Sequence, residues 1–376
     1  MAVALVGLLA VGCGGPEVAE QAAPPPAPSV RFDPAAGAPP VSPTAPVTAT
    51  AVDGTITNAV LTNQDGKQVA NEIGPDGRSW SVAEPLGYGK TYTAVLTVQG
   101  ASGDPVTQES TFTTVDPEHQ TYVSMNPLDG QTVGVGQPLA FYFSEDAPAP
   151  DKAKAEEAIR IRTEPAVEGA FYWFDDREVH WRPQEYWQPG TTINVTADVY
   201  GKDLGNGSWG EENRSAEITI GDAVVLHADG ASHQMSVKVN GVTQRTMPVS
   251  LGKPEWPSNN GVHVVTEHHR KKIMDSSSYG LDIDDGGYRT EVEWAVRISN
   301  GGEFLHAAPW SVAQQGSSNV SHGCINMSDA NARYVYNLLK KGDVVEITNS
   351  GGPKLRSWDG FGDWQVPWDE WVAGNR

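Results

Sequence analysis

From Ser29 onward the chain alternates apolar and polar residues in short runs: VTATAV, TNAVLTN, SWSVAE, YTAVLTVQG and ESTFTTV. A period of two places alternate side chains on opposite faces of a strand, so each run predicts a half-buried strand. The turn sequences DGT, QDGK, PDGR and GYGK separate the runs. Strands and turns repeating at a spacing of roughly ten residues predict an antiparallel β-sandwich over residues 29–116. A second unit over 117–221 contains the strand runs LAFYFSE, AFYWFDD, EVHWRPQ and TINVTADVYG, with one helical stretch, DKAKAEEAI. The phrases DGRSWSVAEPLGYGKTYTAVLTV and DDREVHWRPQEYWQPGTTINVTADV share the order strand, apolar corner, turn, strand. They read as a weak internal repeat of one sandwich design.

A third strand-rich unit spans 222–350, with SVKVNGV, TMPVSLGK, GVHVVTE, EWAVRIS, EFLHAA and DVVEITN. It holds one clear helix. Ser328 is its expected N-cap, Ala332, Val335, Leu338 and Leu339 its apolar face, and Gly342 its stop. The tail over 351–376 carries Trp358, Trp364, Trp368 and Trp371 without helical or strand periodicity. It is expected to be an extended segment whose indoles pack on the third unit. The fold class is therefore mainly β, in three strand-rich units.

Composition agrees: 40 glycines and 27 prolines suit a chain with many turns. The net charge of −21 opposes nucleic acid and anionic surfaces and excludes a nucleic-acid partner. MAVALVGLLAVGC is apolar over the length of a signal-peptide core and too short to span a bilayer. Residues 1–12 are expected to be a signal peptide. AVGCGG resembles a bacterial lipobox, in which Cys13 would be lipidated, although Ala10 stands where Leu is usual and no Lys or Arg precedes the run. Residues 13–28, with Pro24, Pro25 and Pro26, read as an extended tether. The expected location is outside the cell, on the outer face of the plasma membrane and facing the cell wall.

Only two cysteines are present, so lipidation of Cys13 leaves Cys324 as the one thiol, within NVSHGCIN. A cysteine attacks as thiolate, and an imidazole can take its proton. His322 lies two residues before the thiol, on the same face if the segment is a strand. His306, at the end of EFLHAA, can reach the sulfur across a sheet. Gly323 permits a sharp turn that would aim backbone N–H groups at an oxyanion. The residues leave three readings open: an acyl-transferring site with Cys324 as nucleophile, His306 as base and N–H donors at Gly323 and Cys324; a zinc site of His306, His322 and Cys324; or a structural core cysteine.

HAAPWSVAQQG followed by SHGCINMS resembles the signature of bacterial L,D-transpeptidases, whose catalytic domain is called YkuD-like. The family pattern is a histidine, a spacer, then S/T-x-G-C with Arg or Asn two residues beyond the cysteine. Asn326 occupies that last place. The likeness extends through GVHVV, IMDSSSYG, GYRTEVEWAVRIS and the Trp-rich tail. With two Ig-like sandwiches ahead of it, the architecture resembles exported members of high-GC Gram-positive bacteria. The resemblance implies that Cys324 is the nucleophile and His306 the base, that His322 supports the site, and that Gly323 and Cys324 form the oxyanion hole. It implies that Tyr279, Tyr288, Met274 and Trp310 shape the substrate cavity and that Asn326 adds a polar wall. Ala307 stands where this subgroup often has Ser, which is harmless if the residue acts on the imidazole through its carbonyl.

The resemblance further implies a peptidoglycan L,D-transpeptidase. It would form 3→3 cross-links between stem peptides, a donor tetrapeptide and an acceptor amine, through a cysteinyl thioester with release of D-alanine. Carbapenem-type β-lactams would acylate the same cysteine, and no metal or other cofactor is expected. Two alternatives compete: a wall-anchored Ig-like binding protein with an inactive catalytic domain, and another cysteine peptidase or acyltransferase. The run EHHRKKIMDSSSYG is expected in a hairpin lid, with its charges solvated.

Overall fold

The computed structural model describes residues 1, 2, 26–101, 103–280, 282–285 and 287–376. The signal-peptide segment, Cys13 and most of the tether therefore lie outside the described residues. Up to Val115 the chain forms one unit and from Asp116 to Arg376 a second. In the first, strands Ser29–Asp33, Thr48–Val52, Ser79–Val82 and Asn71–Ile73 form one sheet, and Gly54–Asn63, Thr91–Gly100 and Val106–Thr113 another. Strand Thr91–Gly100 shows the predicted alternation, with Tyr92, Ala94, Leu96 and Val98 buried. Their core includes Leu61 and Trp80, whose indole N–H donates to Asn71 Oδ1 at 2.8 Å.

The second unit begins with another pair of sheets, each four-stranded here. One is ordered Thr132–Val133, Arg214–Ile220, Thr192–Ala197, Ile159–Glu164; the other Gly169–Trp173, Glu178–Pro183, Leu139–Phe143, Val123–Asn126. The helical stretch forms Lys152–Ala158, capped by Asp151 accepting from the Lys154 N–H at 3.1 Å. Beyond these sheets the chain builds a five-stranded sheet, ordered Val242–Pro248, Gln234–Val239, Val224–Asp229, Val344–Thr348, Gly261–Val264. A four-stranded sheet follows, ordered Glu267–Asp275, Arg289–Arg297, Phe304–Ala307, Ile325–Met327. Helix Asp329–Leu338 packs between them, with Ser328 accepting from the Asn331 N–H and Ala332 and Val335 inward. The fold is mainly β, as the alternation predicts.

The expected boundary between residues 117–221 and 222–350 separates no independent bodies, because the packing is continuous across it. Val344 belongs to the core of the second sandwich. Gly134 and Gly136 donate backbone hydrogen bonds to the Lys341 and Gly342 carbonyls at 2.7 and 2.8 Å. Gly342 does not end the helix, which stops four residues earlier. It has φ +85°, and a Cβ there would stand 2.7 Å from Gly134 N, so glycine permits the two backbones to meet.

The tail also departs from expectation. It is not extended throughout, since Trp368–Ala373 forms a short helix; Trp358 is exposed, and the Trp364 and Trp371 indoles reach the sandwich, where their N–H donors find carbonyls. Trp364 Nε1 donates to Gly136 O and Trp371 Nε1 to Ala170 O, both at 2.8 Å. Trp371 is fully buried and stacks on Tyr172, with the Arg182 guanidinium 4.2 Å from its ring centroid. Beneath them His180 Nδ1 lies 2.7 Å from Asp363 of the tail and its Nε2 3.0 Å from Glu178. On its other side the tail supports the four-stranded sheet, where Asp359 accepts from the Asn300 and Gly301 N–H groups.

Burial disfavours the His180 imidazolium, but Asp363 and Glu178 outweigh it and raise its pKa from 6.5 to about 9. The protonated ring therefore stabilises the fold fully below pH 6.5, and that stabilisation is lost as pH rises through about 9. Thermal melting of the full chain should show the second unit losing stability between pH 7 and 10. A His180→Gln protein should show a flatter dependence over that range. Parallel pH profiles for the two proteins would refute the role given to His180.

Candidate active site

The four-stranded sheet carries the site. Strands Phe304–Ala307 and Ile325–Met327 pair in parallel, with Leu305 opposite Ile325 and His306 opposite Asn326. The sulfur comes from the bend immediately before the second strand. Residues 322–324 are not extended, as the same-face expectation for His322 supposed; Gly323, at φ +115°, turns the chain there. Even so, His322, Cys324 and Asn326 all line one cleft with His306. The remaining wall comes from Met274, Tyr288, Thr290, Val292, Trp310, Val320 and Ser321 around a volume of about 190 Å³.

His306 is 4 % exposed, and its Nδ1 lies 2.8 Å from the Ala307 carbonyl. A carbonyl only accepts, so Nδ1 carries the proton and Nε2 is left as the acceptor. The contact is through the backbone, and the missing hydroxyl at Ala307 does not disturb it. Burial lowers the His306 pKa. Burial also pushes the Cys324 thiol up to about 12, with Glu303 adding to the rise and the Phe304 N–H and Arg297 opposing it. A resting imidazolium–thiolate pair is therefore disfavoured at both partners. Desolvation penalises both ions, and the neutral thiol and imidazole prevail.

The backbone around the thiol is held by serines. The Ser321 hydroxyl donates to the Cys324 carbonyl at 2.6 Å and accepts from the Gly323 N–H at 3.1 Å. Gly323 N–H thus has a partner inside the bend and does not stand as an unengaged oxyanion donor; the residue's evident contribution is its left-handed turn. Sulfur of Cys324 lies 3.7 Å from the Gly302 carbonyl, in the turn that Asp359 of the tail holds.

The His322 ring lies tilted against Tyr288, ring centroids 5.0 Å apart, and burial with nearby Lys253 lowers its pKa. Trp310, 58 % exposed, sits at the rim 6.1 Å from the His306 ring. Asn326 is buried, donating from Nδ2 to Ser311 Oγ at 3.2 Å. Met274 and Thr290 face each other across the hairpin Glu267–Asp275 and Arg289–Arg297, the expected lid. Tyr279 ends a single helical turn, Ser276–Tyr279, at the tip, and its side chain lies outside the described residues. The lid's basic residues meet acids across the strands, Arg270 with Glu293 at 3.0 Å and Lys271 with Glu291 at 2.9 Å. Among the described residues no group of three His, Cys, Asp or Glu is placed to hold a metal ion.

Sequence reading passed over Ser321 as a backbone brace, although it opens the SHGC motif. It also passed over Thr290, Val292 and Val320, whose apolar or small character carries no chemical signal. Neither Ser258 nor Glu303 was singled out, and a charge at the head of the apolar run EFLHAA was the available sign.

A protonated thiol and a neutral imidazole in one cleft are the parts of an acyl-transferring enzyme. Comparison with known proteins narrows the class. The L,D-transpeptidase catalytic domain model, YkuD, matches residues 223–347, and a bacterial Ig domain model matches 38–203. The chain is 46% identical over 332 residues to L,D-transpeptidase 2 of Mycobacterium tuberculosis, covering 88% of this chain and 81% of that one. It is 39% identical over 373 residues to L,D-transpeptidase 5 of the same species, covering 96% and 80%. A solved L,D-transpeptidase in complex with imipenem superimposes with a TM-score of 0.53 at 34% identity, over 62% of this chain and all of that one. The chain belongs to the L,D-transpeptidase family and is a transpeptidase, an acyl-transferring enzyme, with an Ig-like region ahead of its catalytic domain.

Because burial holds the thiol up at about 12, iodoacetamide alkylation of Cys324 should keep accelerating with pH well beyond the ordinary thiol range near ~8.5. The pseudo-first-order rate followed by mass spectrometry from pH 6 to 10 checks this. A plateau below pH 8 would show a resting thiolate instead.

Proposed function

We propose that this enzyme is an exported, lipid-anchored peptidoglycan L,D-transpeptidase that forms 3→3 cross-links. The observation that carries the reading is the meeting of Cys324 and His306 in one cleft, with the His306 tautomer set by the Ala307 carbonyl. In the proposed reaction the sulfur attacks the carbonyl of the third, L-centre residue of a donor stem while His306 Nε2 takes the thiol proton. The tetrahedral adduct collapses to a thioester as the C–N bond to D-alanine breaks, and the imidazolium returns its proton to the leaving amine. A side-chain amine of a neighbouring stem then attacks the thioester. His306 accepts that amine's proton and returns it to the sulfur, leaving a new amide and a free thiol.

A base acting during attack suits this site better than a preformed ion pair, because the thiol is neutral at rest. Tyr288, Met274 and Trp310 would contact the stem, and Tyr279 would act from the tip of the lid. His322, which lines the same cleft, would act as a supporting side chain. A carbapenem would enter as an acyl donor whose ring amide opens onto the sulfur without loss of a fragment. The imipenem complex of a family member supports that reading.

Incubated with imipenem, the full chain should gain one adduct by intact-mass analysis, absent in Cys324→Ala. His306→Ala should slow its formation by about 10²–10⁴-fold. With purified stem tetrapeptides the wild-type protein should yield cross-linked dimers one D-alanine lighter than two monomers. Adducts without dimers would leave an inactive or hydrolytic domain as the better reading.

The anchor is a separate proposal resting on AVGCGG around Cys13. Lipidation contributes about 0.8 kcal/mol per buried CH₂, so several acyl chains hold firmly. Expressed in a Gram-positive host, the protein should partition with membranes, and Cys13→Ala should release it. Equal partitioning of the two would rule the anchor out.

A further inference from the structure

Beside the residues that line the cleft, a second set of buried polar groups reaches the nucleophile bend. Glu303 is 6 % exposed and His263 fully buried, and their side chains meet at 3.1 Å between Oε2 and Nε2. Glu303 Oε1 accepts from the Asn259 N–H at 2.7 Å. The other nitrogen of His263 lies 3.2 Å from the Gly261 carbonyl, which can only accept. Nδ1 therefore donates there, and Nε2 faces the Glu303 carboxylate, so each buried group has a polar partner.

The pair reaches the active site through the chain beside it. Ser258, fully buried and next to Asn259, donates from its hydroxyl to the Gly323 carbonyl at 2.6 Å and accepts from the Gly252 N–H at 3.0 Å. The Glu303 carboxylate itself comes within 3.8 Å of the point where a Gly323 side chain would begin. Glu303 is also three residues before His306, at the head of the strand that carries the imidazole.

We propose that Glu303, paired with His263, is a positioning residue for acyl transfer at Cys324. It holds residues 258–259 so that Ser258 keeps the Gly323 carbonyl, and with it the sulfur, in place relative to His306. The proposal rests on the reading that Cys324 is the residue acylated. Its charge has a second effect. Burial is the main cause that holds the thiol protonated, and Glu303 adds to it against the Phe304 N–H and Arg297. Tyr288, His306 and His322 are the other titratable groups of the cleft.

The two effects pull measurable rates in opposite directions. Full-length Glu303→Ala, Glu303→Gln and Ser258→Ala proteins are compared with wild type for imipenem acylation and for iodoacetamide alkylation at neutral pH. Circular dichroism and melting establish that each is folded. Glu303→Ala should slow acylation by about 10²-fold, the cost of a nucleophile misplaced by about an ångström. Its alkylation should become faster, because the charge that disfavours the thiolate has gone. Glu303→Gln keeps an acceptor for Asn259 and gains a donor for His263. It should restore acylation to within about threefold of wild type while keeping the faster alkylation. Ser258→Ala should slow acylation and leave the alkylation pH profile unchanged.

Folded Glu303→Ala and Ser258→Ala proteins that acylate at the wild-type rate would overturn the proposal, as would both rates falling together with the folded fraction. If Glu303→Ala does not fold, Ser258→Ala and the rescue by Gln decide. Failure of wild type to react with imipenem would count against the transpeptidase reading alone. In that case an unchanged alkylation profile in Glu303→Gln would still overturn the role given to Glu303.

Discussion

A parallel pairing of two very short strands is the constraint on which the catalytic region depends. Phe304–Ala307 and Ile325–Met327 match over three residues, yet that register brings the His306 imidazole and the Cys324 sulfur to one cleft. Parallel neighbours cannot be joined by a tight turn, so the chain between them must leave the sheet and return. The intervening segment supplies Trp310, Val320, Ser321 and His322 to the cleft rim and walls. So short a pairing has few ladder bonds of its own. Other contacts steady it: Ser321 and Ser258 on the bend, Ser250 pairing with the Asn326 backbone, and Ser311 on its side chain.

A chain of contacts also runs from the far side of the second unit to the same place. Strand Glu178–Pro183 of the sandwich holds the tail through His180 and Arg182. The tail in turn holds the turn 299–302 through Asp359, and Gly302 of that turn faces the sulfur. The second sandwich is therefore packed into the enzyme's supporting frame rather than strung ahead of it as a spacer. Its connection is built from buried charge, aromatic faces and backbone carbonyls.

The electrostatics of the cleft follow from burial. A thiol and an imidazole taken out of water each resist ionisation, so the site keeps its nucleophile protonated until an electrophile arrives. Glu303 strengthens this bias, and its contact with His263 gives the buried carboxylate a partner beside the nucleophile bend.

Much of this was legible in the chain itself. Period-two alternation with regular turns determines the strands, because half-buried β-structure demands it, and Tyr92, Ala94, Leu96 and Val98 point inward as that rule requires. The helix after Ser328 was legible from its cap and apolar face. The residues around Cys324 left catalytic, zinc and structural readings open, and the resemblance of HAAPWSVAQQG and SHGCINMS to a family signature chose among them. Tertiary structure decided the rest, since pairs such as His180–Asp363 and His263–Glu303 join residues 183 and 40 positions apart. Nothing local marks which buried acid will meet which histidine. Burial likewise decided the protonation of Cys324 and His306, and backbone geometry gave the Gly323 N–H to Ser321. Local pattern specifies elements, whereas partners, desolvation and the sharing of one core by two regions exist only once the chain has closed on itself.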